Sequence, residues 1–120
     1  MTNHVPILRQ GAFLIVSIQD DLVDGDMVKL ERRLLQEVIA SAAKGVIIDV
    51  THLDVLDSFG TRKLCNMVAA IQLRGARSVI VGIQPEVAIS MVLLGLTLPN
   101  VAMALDLDAG LAHLNRRVGK

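Results

Sequence analysis

The segment DVLDSFGTRKL, from Asp54 to Leu64, sets a serine between an aspartate and one of only two aromatic residues in the chain. A serine lying between a strand-like and a helix-like run has three chemical uses: nucleophile, helix cap, or acceptor of a phosphoryl group. The nucleophile needs a Gly-x-Ser-x-Gly elbow, whose first glycine permits a sharp, strained turn. Leu56 stands at that position, and His4, His52 and His113 are scattered, so the sequence brings no base to Ser58. Capping is the simplest use, because both Asp57 and Ser58 can accept hydrogen bonds from first-turn amides at a gain of about 1 kcal/mol. Asp57 suffices as the cap, which leaves the Ser58 hydroxyl available to another protein. A phosphoryl group there would add about −1.5 to −2 charges. The free amides and positive dipole end of the helix favour that charge and Asp57 opposes it. Arg62 lies one turn on and can partly neutralise it, with Lys63 next in sequence. From the residues alone, cap and switch both remain open.

Other chemistry has weaker support. The three histidines and the single cysteine show no zinc-like spacing. Gly82-Ile83-Gln84-Pro85 lacks the lysine of a phosphate-binding loop and the glycine spacing of a dinucleotide site, so no cofactor is expected. Cys65 falls in a helical stripe with Leu64, Val68 and Ile71, which reads as a small buried hydrophobe rather than a reactive thiol. Arg116 and Arg117 complement the dipole of the final helix.

The elements that must position Ser58 follow from periodicity and punctuation. Ile7 to Arg9 and FLIVSI (13–18), joined at Gly11, read as an antiparallel hairpin. Met27, Leu30, Leu34, Val38 and Ala42 recur three or four apart, predicting a helix within 24–45 with Asp24 or Asp26 as N-cap and Gly45 as C-cap. VIIDV (46–50) reads as a strand buried on both faces. TRKLCNMVAAIQLRG (61–75) reads as a helix closed by Gly75, and SVIVG (78–82) as a second doubly buried strand. Pro85 opens a helix closed by Gly95, VAMAL (101–105) is a strand, and 106–117 is a helix capped by Asp106. This alternation predicts an α/β domain: a mixed β-sheet with an antiparallel opening hairpin, parallel core strands and about four helices mostly on one face.

The whole chain, 1–120, is expected to be one domain, since 120 residues cannot build two independent cores. Twelve Lys and Arg balance twelve Asp and Glu, and Trp and Tyr are absent, which argues against nucleic acid as a ligand. The N-terminus lacks a basic secretory segment, and the apolar run VAISMVLLGLTL (87–98) is too short to span a bilayer, so a cytoplasmic location without a membrane anchor is expected. The helix from Glu86 to Leu94 is apolar nearly all round. It is expected to be buried in the monomer, with a subunit interface as the alternative.

Asp57-Ser58-Phe59-Gly60, following the strand VIIDV and the connector THLDVL, resembles the Asp-Ser-x-Gly signature of STAS domains, the fold of bacterial anti-sigma factor antagonists. The resemblance extends over nearly the whole chain, and Gly82-Ile83-Gln84-Pro85-Glu86-Val87-Ala88 is similar to the stressosome branch. It implies that Ser58 is the phosphoacceptor and that Asp57, Phe59, Gly60, Thr61, Arg62 and Lys63 form the surface met by partners. It implies three of these: a serine/threonine switch kinase of the histidine-kinase-like ATPase fold, a sensor-bearing STAS paralogue in a large assembly, and a metal-dependent serine phosphatase. The chain would then be scaffold and substrate rather than enzyme, with homo-oligomers also expected. Relatives that antagonise anti-sigma factors often carry a second serine where Phe59 stands, which favours the stressosome branch over a stand-alone antagonist. An enzyme or small-ligand protein is the third reading. Thr61 and Ser90 are conceivable secondary acceptors, although Ser90, on an apolar helix, reads as structural.

Overall fold

Five strands and four helices make up the computed structural model, which describes residues 5–19, 24–95 and 101–118. The hairpin β1 (Ile7–Gln10) and β2 (Phe13–Ser17) is followed by α1 (Asp24–Ser41), β3 (Gly45–Asp49) and α2 (Ser58–Leu73). Then come β4 (Arg77–Val81), α3 (Pro85–Leu93), β5 (Ala102–Ala104) and α4 (Leu107–Val118). The strands lie in the order β1-β2-β3-β4-β5, with β1 antiparallel to β2 and every later pair parallel. The expected mixed sheet with an antiparallel edge is therefore present.

A monotonic strand order explains where the helices go. Crossovers between parallel strands are almost always right-handed, so successive steps in one direction put their helices on the same face. That face holds one core, in which Leu34, Leu64, Met67 and Ile71 from α1 and α2 meet Val16, Val46, Ile48 and Ile80 from the sheet, with Val87 and Met91 of α3 at its margin. The opposite face would otherwise be bare. It is covered by α4, whose fully buried Leu114 joins Phe13, Ile47, Val79 and Val81. Because strand side chains alternate between faces, these two clusters draw on consecutive residues of β3 and β4. Val46, Ile47, Ile48, Val79, Ile80 and Val81 all have 0% exposure, as the continuous apolar runs predicted.

Two glycines let α4 approach closely. A Cβ on Gly110 would lie 2.8 Å from Val81 Cγ1, and one on Gly45 would lie 2.9 Å from Leu114 Cδ1. Gly45 therefore does not cap α1 as expected, but begins β3 under α4. The helix ends at Ser41, and Ala42 takes the left-handed turn with φ 52°. Ala43 N–H donates to Val38 O (3.2 Å) and Ala42 N–H to Ile39 O (3.4 Å), the paired bonds of a Schellman cap built on alanine. The side chains of Asp24 and Asp26, the expected N-caps, lie outside the described residues.

The α2 helix starts three residues earlier than its apolar pattern suggested, because Asp57 rather than a later residue caps it. Its far end agrees with expectation: Gly75 has φ 85°, and Gly75 N–H and Ala76 N–H donate to Gln72 O (2.9 Å) and Ile71 O (3.2 Å). Asp106 caps α4, its Oδ1 accepting from Ala109 N–H at 2.9 Å. Among the described residues no helix is long and apolar enough to cross a membrane.

The third helix departs from its expectation of burial. Val87 and Met91 are buried, but Ile89, Val92, Leu93 and Leu94 are 60–80% exposed. Its inner stripe consists of Val87 and Met91, one turn apart, which join the core while the rest of the helix faces outward.

Candidate functional site

Ser58 is held by a loop whose backbone groups are satisfied locally. At the end of β3, Asp49 Oδ1 accepts from Thr51 N–H at 2.9 Å and from the Thr51 hydroxyl, which turns the chain away from the sheet. Leu53 N–H closes the next turn on Val50 O at 3.0 Å. Gln84, at the start of α3, then straps this loop to the neighbouring one: its Nε2 donates to Thr51 O (2.7 Å) and to Asp54 Oδ1 (3.1 Å). Room for the close approach of the loops comes from Gly82, where φ is 79° and a Cβ would fall 2.0 Å from Thr51 Oγ1. Leu56, 6% exposed, anchors the loop in the core.

At the helix start the three uses of the serine separate. Asp57 has extended backbone, and its Oδ1 accepts from Gly60 N–H at 2.8 Å, so the cap is supplied by the aspartate. Ser58 is the first helical residue and its side chain is exposed. Gly60 keeps the turn small, since a Cβ there would meet Leu56 Cδ1 at 3.0 Å and Asp57 Oδ1 at 3.3 Å. Phe59 is half-buried with Lys63 Nζ 5.6 Å from its ring centroid, a cation–π contact that holds the lysine over the residue that follows Ser58. Arg62 is exposed on the same turn.

Thr61 does not share this surface. It is 4% exposed, and its hydroxyl is buried without a hydrogen-bond partner among the described residues. One residue of the predicted contact surface therefore belongs to the core side of α2, which also removes Thr61 as an accessible acceptor. Ser90, read from sequence as structural, is exposed on α3, and Cys65 is half-buried rather than fully buried.

Beside the helix start opens a cavity of about 360 Å³, lined chiefly by Ile18, Met27, Leu53, Leu56, Phe59 and Leu64, with Asp57 at its margin. Its walls are mainly apolar, and among the described residues no group of His, Cys, Asp and Glu is arranged to hold a metal ion. Sequence reasoning missed the Gln84 strap and the role of Gly82. A glycine directly after a buried strand was the available signal.

A doubly covered, five-stranded sheet with an exposed serine at the capped start of α2 is the arrangement of a STAS domain. The chain belongs to that family: the STAS domain model matches residues 4–108. Among solved structures, it is similar to Moorella thermoacetica RsbS S58E, with 34% identity, a TM-score of 0.85 and coverage of 98% of this chain and 100% of that one. It is also similar to a chain of the structure described as "Molecular architecture of the stressosome, a signal integration and transduction hub", with 36% identity, a TM-score of 0.83 and coverage of 96% and 100%. RsbT co-antagonist protein RsbRA of Bacillus subtilis (strain 168) is 30% identical over 83 residues, which are 69% of this chain and 30% of RsbRA. The chain thus spans less than half the length of that curated relative.

Proposed function

We propose that the chain is the small, non-catalytic scaffold of a stressosome-type assembly, and that it holds a serine/threonine kinase while Ser58 is unmodified and releases it once Ser58 is phosphorylated. Similarity over full length to RsbS and to a stressosome chain supports the assembly. Similarity to RsbRA, a co-antagonist of RsbT, supports a role in restraining a partner protein. The observation that carries the switch is local: Asp57 supplies the cap, so the exposed Ser58 hydroxyl has no structural duty at the helix start.

The physical consequence of modification follows. A phosphate at the first turn of α2 meets free amides and the positive dipole end, so the fold tolerates it. The same group adds about two negative charges to a docking surface made of Asp57, Phe59, Arg62 and Lys63, and desolvating that charge opposes binding. The kinase proposed has the histidine-kinase-like ATPase fold, a metal-dependent serine phosphatase restores the hydroxyl, and a sensor-bearing STAS paralogue completes the shell.

The test is incubation of the purified chain with its kinase and ATP, followed by mass mapping. One phosphate on Ser58, absent from Ser58→Ala, is expected. An active kinase that leaves Ser58 unmodified sinks the proposal. Size-exclusion with the paralogue separates this role from that of a stand-alone antagonist, since only the scaffold enters a megadalton co-complex.

A further inference from the structure

The neutral chain is strongly polarised along its strands. Parallel strands point their C-terminal ends to one pole, where the helices begin, and capping and dipole preferences place acids there. Asp49, Asp54, Asp57, Glu86, Asp106 and Asp108 all lie at that pole, at strand ends, in connecting loops or in first helical turns. All but Asp49, which is half-buried, are exposed. Among the described residues, Arg62 and Lys63, one turn into α2, and the exposed Lys29, equally far into α1, are the Lys and Arg side chains near it.

The opposite pole gathers helix ends and strand starts, and carries Lys44, Arg74, Arg77 and Arg116, all exposed. The backbones of Lys44 and Arg77 are joined at this pole, Arg77 N–H donating to Lys44 O at 3.1 Å. Among the described residues, Glu37, one turn before the end of α1, is the acid that lies toward this pole. A recess of about 400 Å³ opens at this pole, with Gln72, Arg77, Ser78 and His113 in its walls. The buried Ser78 Oγ in that wall has no hydrogen-bond partner among the described residues.

Each charge is explained singly by its helix or strand end, but their sum gives one molecule two complementary faces. We propose that the basic pole of one copy docks on the acidic pole of a second copy, head to tail, with an exposed acid such as Asp108 directed at the recess beside Arg77. A contact between different faces of identical chains is heterologous, and it propagates into rings or open chains rather than stopping at a dimer. The inference rests on the charge distribution and not on the modification of Ser58. The exposed apolar face of α3 gives the competing arrangement, a two-fold contact that salt would not weaken.

The experiment is sedimentation velocity of the full chain at about 0.05 M and about 0.5 M salt, a range over which screening shortens from beyond 10 Å to a few ångströms. Concentration-dependent association is expected at low salt and a loss of about tenfold or more at high salt. Two variants reduce the charge of one pole each: Arg74→Gln with Arg77→Gln, and Glu86→Gln with Asp108→Asn. Each should self-associate at least about tenfold more weakly with an unchanged circular dichroism spectrum, and an equimolar mixture should form a one-to-one dimer through the two intact poles more tightly than either variant alone. A wild-type chain that stays monomeric at low salt, association undiminished in either variant, or a mixture no tighter than the variants alone would each overturn the proposal.

Discussion

Replacing Gly82 by alanine tests whether the loop bearing Ser58 is positioned by the close approach of the β3–α2 and β4–α3 connections. Two penalties add. An L-residue at φ 79° costs about 1–2 kcal/mol relative to glycine, offset by about 0.4–1 kcal/mol from the less flexible unfolded chain. The new Cβ would also stand 2.0 Å from Thr51 Oγ1, 3.1 Å from its Cβ and 3.2 Å from its Cα, so Thr51 must move. Overpacking of that kind costs about 1–3 kcal/mol. Displacing Thr51 disturbs its hydrogen bonds to Asp49 and to Gln84 as well. The expected net loss is about 2–4 kcal/mol, or roughly 1–2 M in urea midpoint for a slope near 2 kcal/mol/M. Urea unfolding of the four members of a cycle, with Thr51→Ala as the second change, measures how much of this is steric. Coupling of about 1 kcal/mol or more is expected, because Thr51→Ala removes the nearest atom but leaves the backbone strain. A Gly82→Ala protein within about 0.5 kcal/mol of wild type, or a strictly additive cycle, refutes the reasoning.

Other substitutions probe the helix ends and the buried hydroxyl. Asp57→Ala removes the bond to Gly60 N–H and should cost about 1 kcal/mol by urea unfolding, whereas Ser58→Ala, which removes no cap, should stay within about 0.5 kcal/mol of wild type. Ala42→Gly relieves the left-handed alanine that ends α1 and should stabilise the chain by about 0.5–1 kcal/mol, seen as a higher melting temperature. Thr61→Val exchanges a buried, unpartnered hydroxyl for a methyl group and should leave stability unchanged or raised, by up to about 1 kcal/mol in calorimetry.

Much of the fold was legible because long-range order here follows from short-range signals. The doubly buried runs VIIDV and SVIVG, the proline at 85 and the capping aspartates at 57 and 106 are local chemistry, and each acts as its pattern indicates. Where tertiary packing decided, local reading failed. Gly45 looked like a helix stop but is a glycine because Leu114 and Phe13 press against it. The α3 helix looked buried because composition cannot report that only Val87 and Met91 reach the core.

The candidate site divides in the same way. Asp57 as cap was readable from its place before the helix. The inward turn of Thr61 depends on the helix starting at Ser58, three residues ahead of the apolar pattern. The Gln84 strap joins residues 33 and 30 positions apart, and no local pattern announces a bond between two loops.

In the function proposed for the chain, the charge state of Ser58 governs the hold on the kinase. Titration calorimetry of the kinase against the unmodified chain and against the same chain stoichiometrically phosphorylated on Ser58 measures it directly. The phosphorylated form should bind with a dissociation constant at least about tenfold weaker, with circular dichroism spectra that superpose. Equal affinities for the two forms would contradict it.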